Sequence, residues 1–295
     1  MDLQRIIVGV DFSEEAGIAW RHAVNIAANT GAEIMLVHIV DVPPANAEHA
    51  DTPEGYSSED TWLEAEIDTA RQRLDDLCAE ARHAGLTVTV HAEPGEPGLL
   101  LPTLAADAGA ELLCVSTHGR TGYRRLLLGS VAKNVIRRSK TNVLVTRPRL
   151  SKSGGYNHIL VPTDFSDLAA HVLEMAITLV SAQGVIDVLH CERAPIAARG
   201  YATTQSTADY VDQLRDAVTK RGDELIDDFT KRHEKINFIF RADAPSRAIL
   251  QLLDDTAYDL VTMGSHGRRG LRRWIVGSVA ENIVRHAPCS VLIVH

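Results

Sequence analysis

The chain predicts two tandem α/β domains, each a doubly wound, five-stranded parallel sheet. Three observations carry this. Short apolar runs alternate with amphipathic helical stripes along the 295 residues, and such alternation implies right-handed crossovers and a parallel sheet covered on both faces. The pattern runs through once, breaks, and restarts. The tripeptide Asp11-Phe12-Ser13 returns as Asp164-Phe165-Ser166, each time directly after the first strand of a copy.

In the first copy, residues 5–10 form a short β-branched run, the kind buried on both faces of a parallel sheet. Ser13 with Glu14 and Glu15 opens a helix, because a hydroxyl cap and early acids suit its N-terminal N–H groups. Ala16, Ala19, Ala23, Ile26 and Ala27 keep one apolar stripe until Gly31 ends it. A second strand spans residues 33–40, and a polar stretch, 43–58, with three prolines is left without an element. Residues 62–84 read as a helix stopped by Gly85, and 86–92 as the third strand. Gly95-Glu96-Pro97 turns into a helix at 99–106 that Pro102 is expected to shorten or bend. Strands at 111–115 and 142–146 flank a glycine loop and a helix at 131–138.

Residues 147–157 carry Pro148, Ser151, Ser153, Gly154 and Gly155 without apolar period and read as a linker, giving domains at 1–148 and 156–295. In the second copy, strands are expected at 158–163, 185–190, 237–241, 260–263 and 290–294. Helices are expected at 167–182, ending before Gly184, at about 207–233, after Pro245-Ser246, and from Val279.

Composition narrows the function. With 45% apolar and 23% charged residues and a net charge of −9, the chain lacks the basic balance of a nucleic-acid binder. Aromatics at 5% disfavour base-stacking platforms. No apolar run approaches the ~18 residues of a membrane span, and the N-terminus enters a strand without an export signal. Cys78, Cys114, Cys191 and Cys289 form no CxxC pair and are expected as reduced thiols of a cytoplasmic protein.

The chemistry concentrates at Met263-Gly264-Ser265-His266-Gly267, which runs through nine residues to Gly277-Ser278-Val279. A strand end, a glycine loop and a fresh helix N-terminus present bare backbone N–H groups that suit phosphate. The first copy repeats the arrangement from Val115-Ser116-Thr117-His118-Gly119 to Gly129-Ser130-Val131. Asp11, Asp164 and both loops fall at strand C-termini, where open parallel sheets bind ligands. His118 and His266 have no sequence-placed acid to orient them and read as loop structure rather than catalysts. Ser13 and Ser166 are better placed than the aspartates to cap the following helices.

At these residues the chain resembles the universal stress protein family in a tandem two-domain form, over nearly its whole length. Gly264, Gly267, Gly277 and Ser278 match that family's nucleotide-binding signature, Gly-x2-Gly-x9-Gly-[Ser/Thr], in full. Gly119, Gly129 and Ser130 match it in the first copy, with Ser116 in place of the first glycine. The resemblance implies a Rossmann-type fold like that of the adenine-nucleotide alpha-hydrolases, with ATP as ligand and Mg²⁺ accompanying the triphosphate. Asp164 and Asp11 would meet the ribose or the adenine, and Pro162 would flank the base, with Gly9 in its place in the first copy. The backbone at Cys191 or Ile39 would face the adenine. Met263, Gly264, Gly267, Gly277, Ser278 and Val279 would hold the phosphates, as would Val115, Gly119, Gly129, Ser130 and Val131 in the first copy. Arginines 268, 269, 272 and 273, and 120, 124 and 125, crowd the two nine-residue spans and could neutralise phosphate charge. Serine's Cβ at position 116 is expected to restrict φ and narrow the first phosphate channel. Asp243-Ala244-Pro245 departs from Gly95-Glu96-Pro97, so that loop is expected to differ.

The expected function is an ATP-binding stress-response protein acting as a nucleotide-dependent switch or as a module for an unidentified protein partner. Hydrolysis would be slow at most, without a Walker lysine or an evident base. One alternative is a dimerising scaffold with degenerate sites. Another is an adenine-nucleotide transferase, whose usual His-rich motif after the first strand is replaced here by Asp-Phe-Ser. The resemblance also implies that the fifth strands pair into a pseudo-dimer, with a homo-oligomer beyond it.

Overall fold

A computed structural model describes residues 3–41, 59–117, 128–148, 155–193, 204–267 and 276–295. The chain divides into two compact units, Asp2–Arg147 and Pro148–His295. The first unit holds β1 (Arg5–Gly9), α1 (Glu14–Thr30), β2 (Glu33–Val40), α2 (Glu59–His83), β3 (Val88–Pro94), α3 (Pro97–Asp107), β4 (Leu112–Ser116), α4 (Ser130–Arg138) and β5 (Asn142–Thr146). The second holds β6 (Tyr156–Thr163), α5 (Ala169–Leu179), β7 (Val180–Cys191), α6 (Thr204–Thr230), β8 (Ile236–Arg241), α7 (Pro245–Asp255), β9 (Leu260–Gly264), α8 (Ser278–His286) and β10 (Ser290–Val294).

Every strand pair within each unit is parallel. Within the first unit the order is β3-β2-β1-β4-β5, and within the second β8-β7-β6-β9-β10. Strand order therefore reverses between β1 and β4, and again between β6 and β9. Those crevices are where an open parallel sheet leaves room for a ligand.

The apolar runs fill the interior. Ile6, Ile7, Leu36, Leu112, Leu113 and Leu144 of the first unit, and Ile159, Leu160, Leu260 and Leu292 of the second, are fully buried. Each such side chain contributes roughly 1.5–3 kcal/mol by leaving water. A repeated polar clamp fixes register at the lower end of each sheet. Glu111 Oε2 accepts the backbone N–H groups of Gln4 and Arg5 at 3.2 and 2.8 Å. Asp259 Oδ2 does the same for Asn157 and His158, at 2.8 and 3.2 Å.

Several boundaries differ from the sequence expectation, and three departures have identifiable reasons. The third strand starts at Val88, not at Leu86, because Leu86 belongs to the helix stop. Gly85 takes φ 89°, and the Leu86 N–H reaches back to the Ala81 carbonyl at 3.1 Å. Helix α5 ends at Leu179, three residues before the expected end at 182. Val180 is extended and already pairs with Tyr156, while a Cβ on Gly184 would meet the Tyr156 carbonyl at 2.8 Å. Pro102 neither shortens nor breaks α3, which runs continuously from Pro97 at its first turn.

The second unit also carries a polar knot with no sequence signal. Buried Asp187 accepts from Tyr258 OH at 2.7 Å, from His158 Nε2 at 2.8 Å and from Asn237 Nδ2 at 2.9 Å. Burial, then the bond to Asp187, pushes the Tyr258 phenol far up, so it stays a donor.

Candidate functional site

The strand-end turn is the first component. After β6, Asp164 Oδ1 accepts the Ser166 N–H at 3.0 Å, and Thr163 Oγ1 accepts the Phe165 N–H at 3.0 Å. After β1, Asp11 Oδ1 accepts both the N–H of Ser13, at 3.1 Å, and its hydroxyl, at 2.6 Å. These bonds fold the chain so tightly that Phe12 and Phe165 take φ of 61° and 58°, the only positive values at described non-glycine residues. Left-handed backbone costs a residue with a side chain roughly 1–2 kcal/mol.

Ser13 behaves as its sequence context suggests, its Oγ accepting the Ala16 N–H at 3.1 Å to cap α1. Ser166 does not. Helix α5 begins three residues later, with Leu168 as its cap, and it is the Ser166 carbonyl that takes the Ala169 N–H at 2.9 Å.

The glycine loop is the second component. Beyond Gly264, which ends β9, the Ser265 N–H bonds the Val294 carbonyl at 2.8 Å, extending the β9–β10 ladder by one step. The Gly277 N–H then bonds the Ser265 carbonyl at 2.7 Å and draws the start of α8 back to the strand end. Gly277 caps α8 with no side chain, so the first-turn N–H groups have no side-chain acceptor at the cap. The first unit matches: the Gly129 N–H bonds the Thr117 carbonyl at 2.8 Å, and Gly129 is the bare cap of α4. Ser278 and Ser130 are exposed at the two helix starts, with Val279 and Val131 half-buried behind them.

The two components meet in the second unit. A Cβ placed on Gly267 would lie 2.4 Å from Asp164 Oδ2. Gly267 therefore packs its bare backbone against the carboxylate, and no other residue fits there without displacing it. Gly277 is less constrained, since a Cβ would find 3.5 Å to its nearest neighbour.

Gly264 lacks a left-handed φ, and a Cβ on it would meet the His266 carbonyl at 3.3 Å, a little inside ordinary contact, and Leu168 Cδ1 and Cβ at 3.6 and 3.8 Å. Its counterpart Ser116 occupies the same place in the ladder, paired with Thr146 as Gly264 is with Val294. The expectation that serine restricts φ there does not hold, because position 264 is already extended strand. Gly119, His118 and the seven loop arginines lie outside the described residues.

The base-side residues sit around the same strand ends. Pro162 pairs with Leu189, and Gly9 with Val37; a Cβ on Gly9 would strike Leu101 Cδ1 at 2.7 Å. Cys191 closes β7, paired with Arg241, and Ile39, paired with Glu93, is one residue short of the end of β2. Burial, aided by the Asp243 carboxylate, pushes the Cys191 thiol up to about 12, so it is protonated at neutral pH. Met263 and Val115 are buried in their strands and can offer only backbone.

The loop before α7 differs between copies, as its sequence suggests. Gly95 uses φ 144°, whereas Asp243 has no such φ; it binds Arg247 with both oxygens, Nε to Oδ2 at 2.8 Å, and accepts the Ala244 N–H.

Two further side chains in each copy converge on the Phe of the turn. The His38 ring lies 4.6 Å from that of Phe12, and the His190 ring 4.6 Å from that of Phe165. Arg73 and Arg221 lie over the same Phe rings at 3.8 and 4.7 Å. Sequence reasoning missed them, although a histidine inside the apolar second strand of both copies was a usable signal. At the loop, Ser265 Oγ is 3.0 Å from His266 Nδ1, and His295 is held down to about 4 by burial first and the His266 charge second.

Comparison with known proteins follows the repeat. The model of the universal stress protein family matches residues 2–147 and again 155–295. Universal stress protein MJ0531 of Methanocaldococcus jannaschii is 30% identical over 147 residues, 49% of this chain and 82% of that protein. Universal stress protein MJ0577 of the same organism is 27% identical over 157 residues, 50% of this chain and 97% of that protein. The crystal structure of a universal stress protein from Archaeoglobus fulgidus aligns with a TM-score of 0.68 at 18% identity, covering 99% of this chain and 96% of that one. At that identity the structural likeness speaks for the fold.

Proposed function

This chain belongs to the universal stress protein family, with one family domain in each half, and on that premise we propose that its second unit binds an adenine nucleotide, ATP above all. The observation that carries the reading is the contact of Gly267 with the Asp164 carboxylate across the strand-order reversal. The glycine-capped start of α8 offers N–H groups and the positive end of a helix dipole to the phosphates. Asp164, its Oδ1 engaged by Ser166 and its Oδ2 turned toward the loop, accepts a ribose hydroxyl. The base lies between Pro162 and the Cys191 backbone.

Among the described residues no three His, Cys, Asp or Glu side chains converge to hold a metal. Mg²⁺ carried in with a triphosphate would be held chiefly by phosphate oxygens and water. The role that fits is a nucleotide-dependent switch or partner-binding module. No described helix is long and apolar enough to cross a membrane.

Mass spectrometry of small molecules released from the freshly purified chain tests this. Adenine nucleotide should be released from wild type and lost with Gly267→Val. A nucleotide-free wild type with no ATP-dependent thermal shift would overturn the reading and favour a scaffold. Loss with Gly119→Val alone would move the site to the first unit.

A further inference from the structure

We infer that Arg221, Phe165 and His190 form a positioning stack that fixes the ligand-facing carboxylate of Asp164, and that Arg221 ties its position to helix α6. The inference rests on the nucleotide site proposed above. Asp164 is held from both sides along the chain. One residue before it, the Thr163 carbonyl accepts from His190 Nδ1 at 2.8 Å, so that nitrogen carries the imidazole proton. One residue after it, the Phe165 ring is bracketed by the His190 ring at 4.6 Å and the Arg221 guanidinium at 4.7 Å. A left-handed Phe needs such bracketing, since nothing intrinsic to the residue favours that φ.

Helix α6 can deliver Arg221 because Gly222 lets it close onto β8. A Cβ on Gly222 would strike the Phe238 ring at 2.4 Å, and Phe238 itself lies 6.1 Å from Phe165. The first unit builds the same device from Arg73 on α2, Phe12 and His38, whose Nδ1 lies 2.7 Å from the Val10 carbonyl. The two copies differ at most of their positions, yet in each the residue following the aspartate is a left-handed Phe contacted by a cation from the long helix and by a strand histidine. Arg221 and Arg73 are both exposed, so packing of the core does not demand them.

Calorimetric titration of the full chain with ATP, with thermal unfolding measured alongside, tests the inference. Phe165→Gly removes the ring and relieves the φ together, so Tm should move by no more than about 2 °C. ATP affinity of the second unit should nevertheless fall by about tenfold, because the carboxylate loses its fixed orientation. Arg221→Ala should weaken binding by about two- to fivefold, as expected of an exposed cation–π contact, and Arg221→Lys should recover most of it. Unchanged affinity in Phe165→Gly and Arg221→Ala, with binding abolished by Gly267→Val, overturns the inference and leaves the nucleotide site standing. If wild type binds no ATP, the site reading fails, and hydrogen exchange in the ligand-free chain decides the stack. The Ser166 amide should exchange about two- to fivefold faster in Arg221→Ala; a wild-type rate overturns the inference.

Discussion

Acid should unfasten the first unit through His22. Its side chain is fully buried in α1, with Nε2 3.0 Å from the Arg147 carbonyl, so the neutral ring with a proton on Nε2 is the form that fits. Burial, opposed by that hydrogen bond and reinforced by the nearby Arg21 charge, lowers its pKa from 6.5 to about 4. The sign follows from linkage. Between those values the unfolded chain binds the proton and the folded chain does not, so stability falls as pH falls from 6.5 toward 4. At pH 4.5 the loss attributable to this ring is roughly 2.5 kcal/mol relative to pH 7.5. The equivalent position in the second unit, eleven residues after its aspartate, is the buried Met175, which identifies the substitution to make. His22→Met should cost about 1 kcal/mol at pH 7.5 through the lost hydrogen bond. It should also remove most of the acid dependence. Urea unfolding followed by the fluorescence of Trp20, buried in the same helix, measures both. Parallel pH profiles for wild type and His22→Met between 7.5 and 4.5 would refute the reasoning.

Two other substitutions probe packing in the second unit. Asp187→Ala leaves the Tyr258, His158 and Asn237 donors without their shared acceptor, and should cost about 3–5 kcal/mol in thermal or urea unfolding; a loss below about 1 kcal/mol would show the knot to be solvated. Gly222→Ala forces a methyl into the Phe238 ring and should cost about 1–3 kcal/mol, with α6 amides exchanging faster; full stability would mean the helix shifts freely on β8.

Much of this architecture was legible because parallel strands buried on both faces must be continuous apolar runs. Residues 33–40, 142–146 and 290–294 have the strand limits their sequence suggests. Boundaries failed where a residue assigned to one element by its pattern served the neighbouring one. Leu86 completes the helix stop at Gly85, and Val180 leaves α5 early to pair with Tyr156. At the site, spacing marked the glycines and aspartates but could not rank them. Only the three-dimensional contact separates Gly267, where a Cβ would lie 2.4 Å from a carboxylate oxygen, from Gly264, where it would find 3.3 Å to its nearest neighbour. The Arg–Phe–His stacks escaped notice because no local pattern requires a Phe at positive φ. That conformation is imposed by hydrogen bonds that Thr163 Oγ1 and Asp164 Oδ1 accept from the Phe165 and Ser166 N–H groups, and by side chains that arrive from another strand and a helix.

The ranking of those two glycines supplies the most direct test of the central claim, equilibrium binding of ATP to Gly267→Ala and Gly264→Ser in the full chain. A methyl on residue 267 must push Asp164 Oδ2 outward by about 1 Å to reach ordinary contact, so Gly267→Ala should lower affinity by about tenfold or more at unchanged Tm. Gly264→Ser, which copies the first unit, should stay within about threefold of wild type, since position 264 is extended strand and its nearest neighbours, the His266 carbonyl at 3.3 Å and Leu168 Cδ1 at 3.6 Å, need yield little. Wild-type affinity in Gly267→Ala, or its loss in Gly264→Ser alone, would contradict a site built on the contact between Gly267 and Asp164.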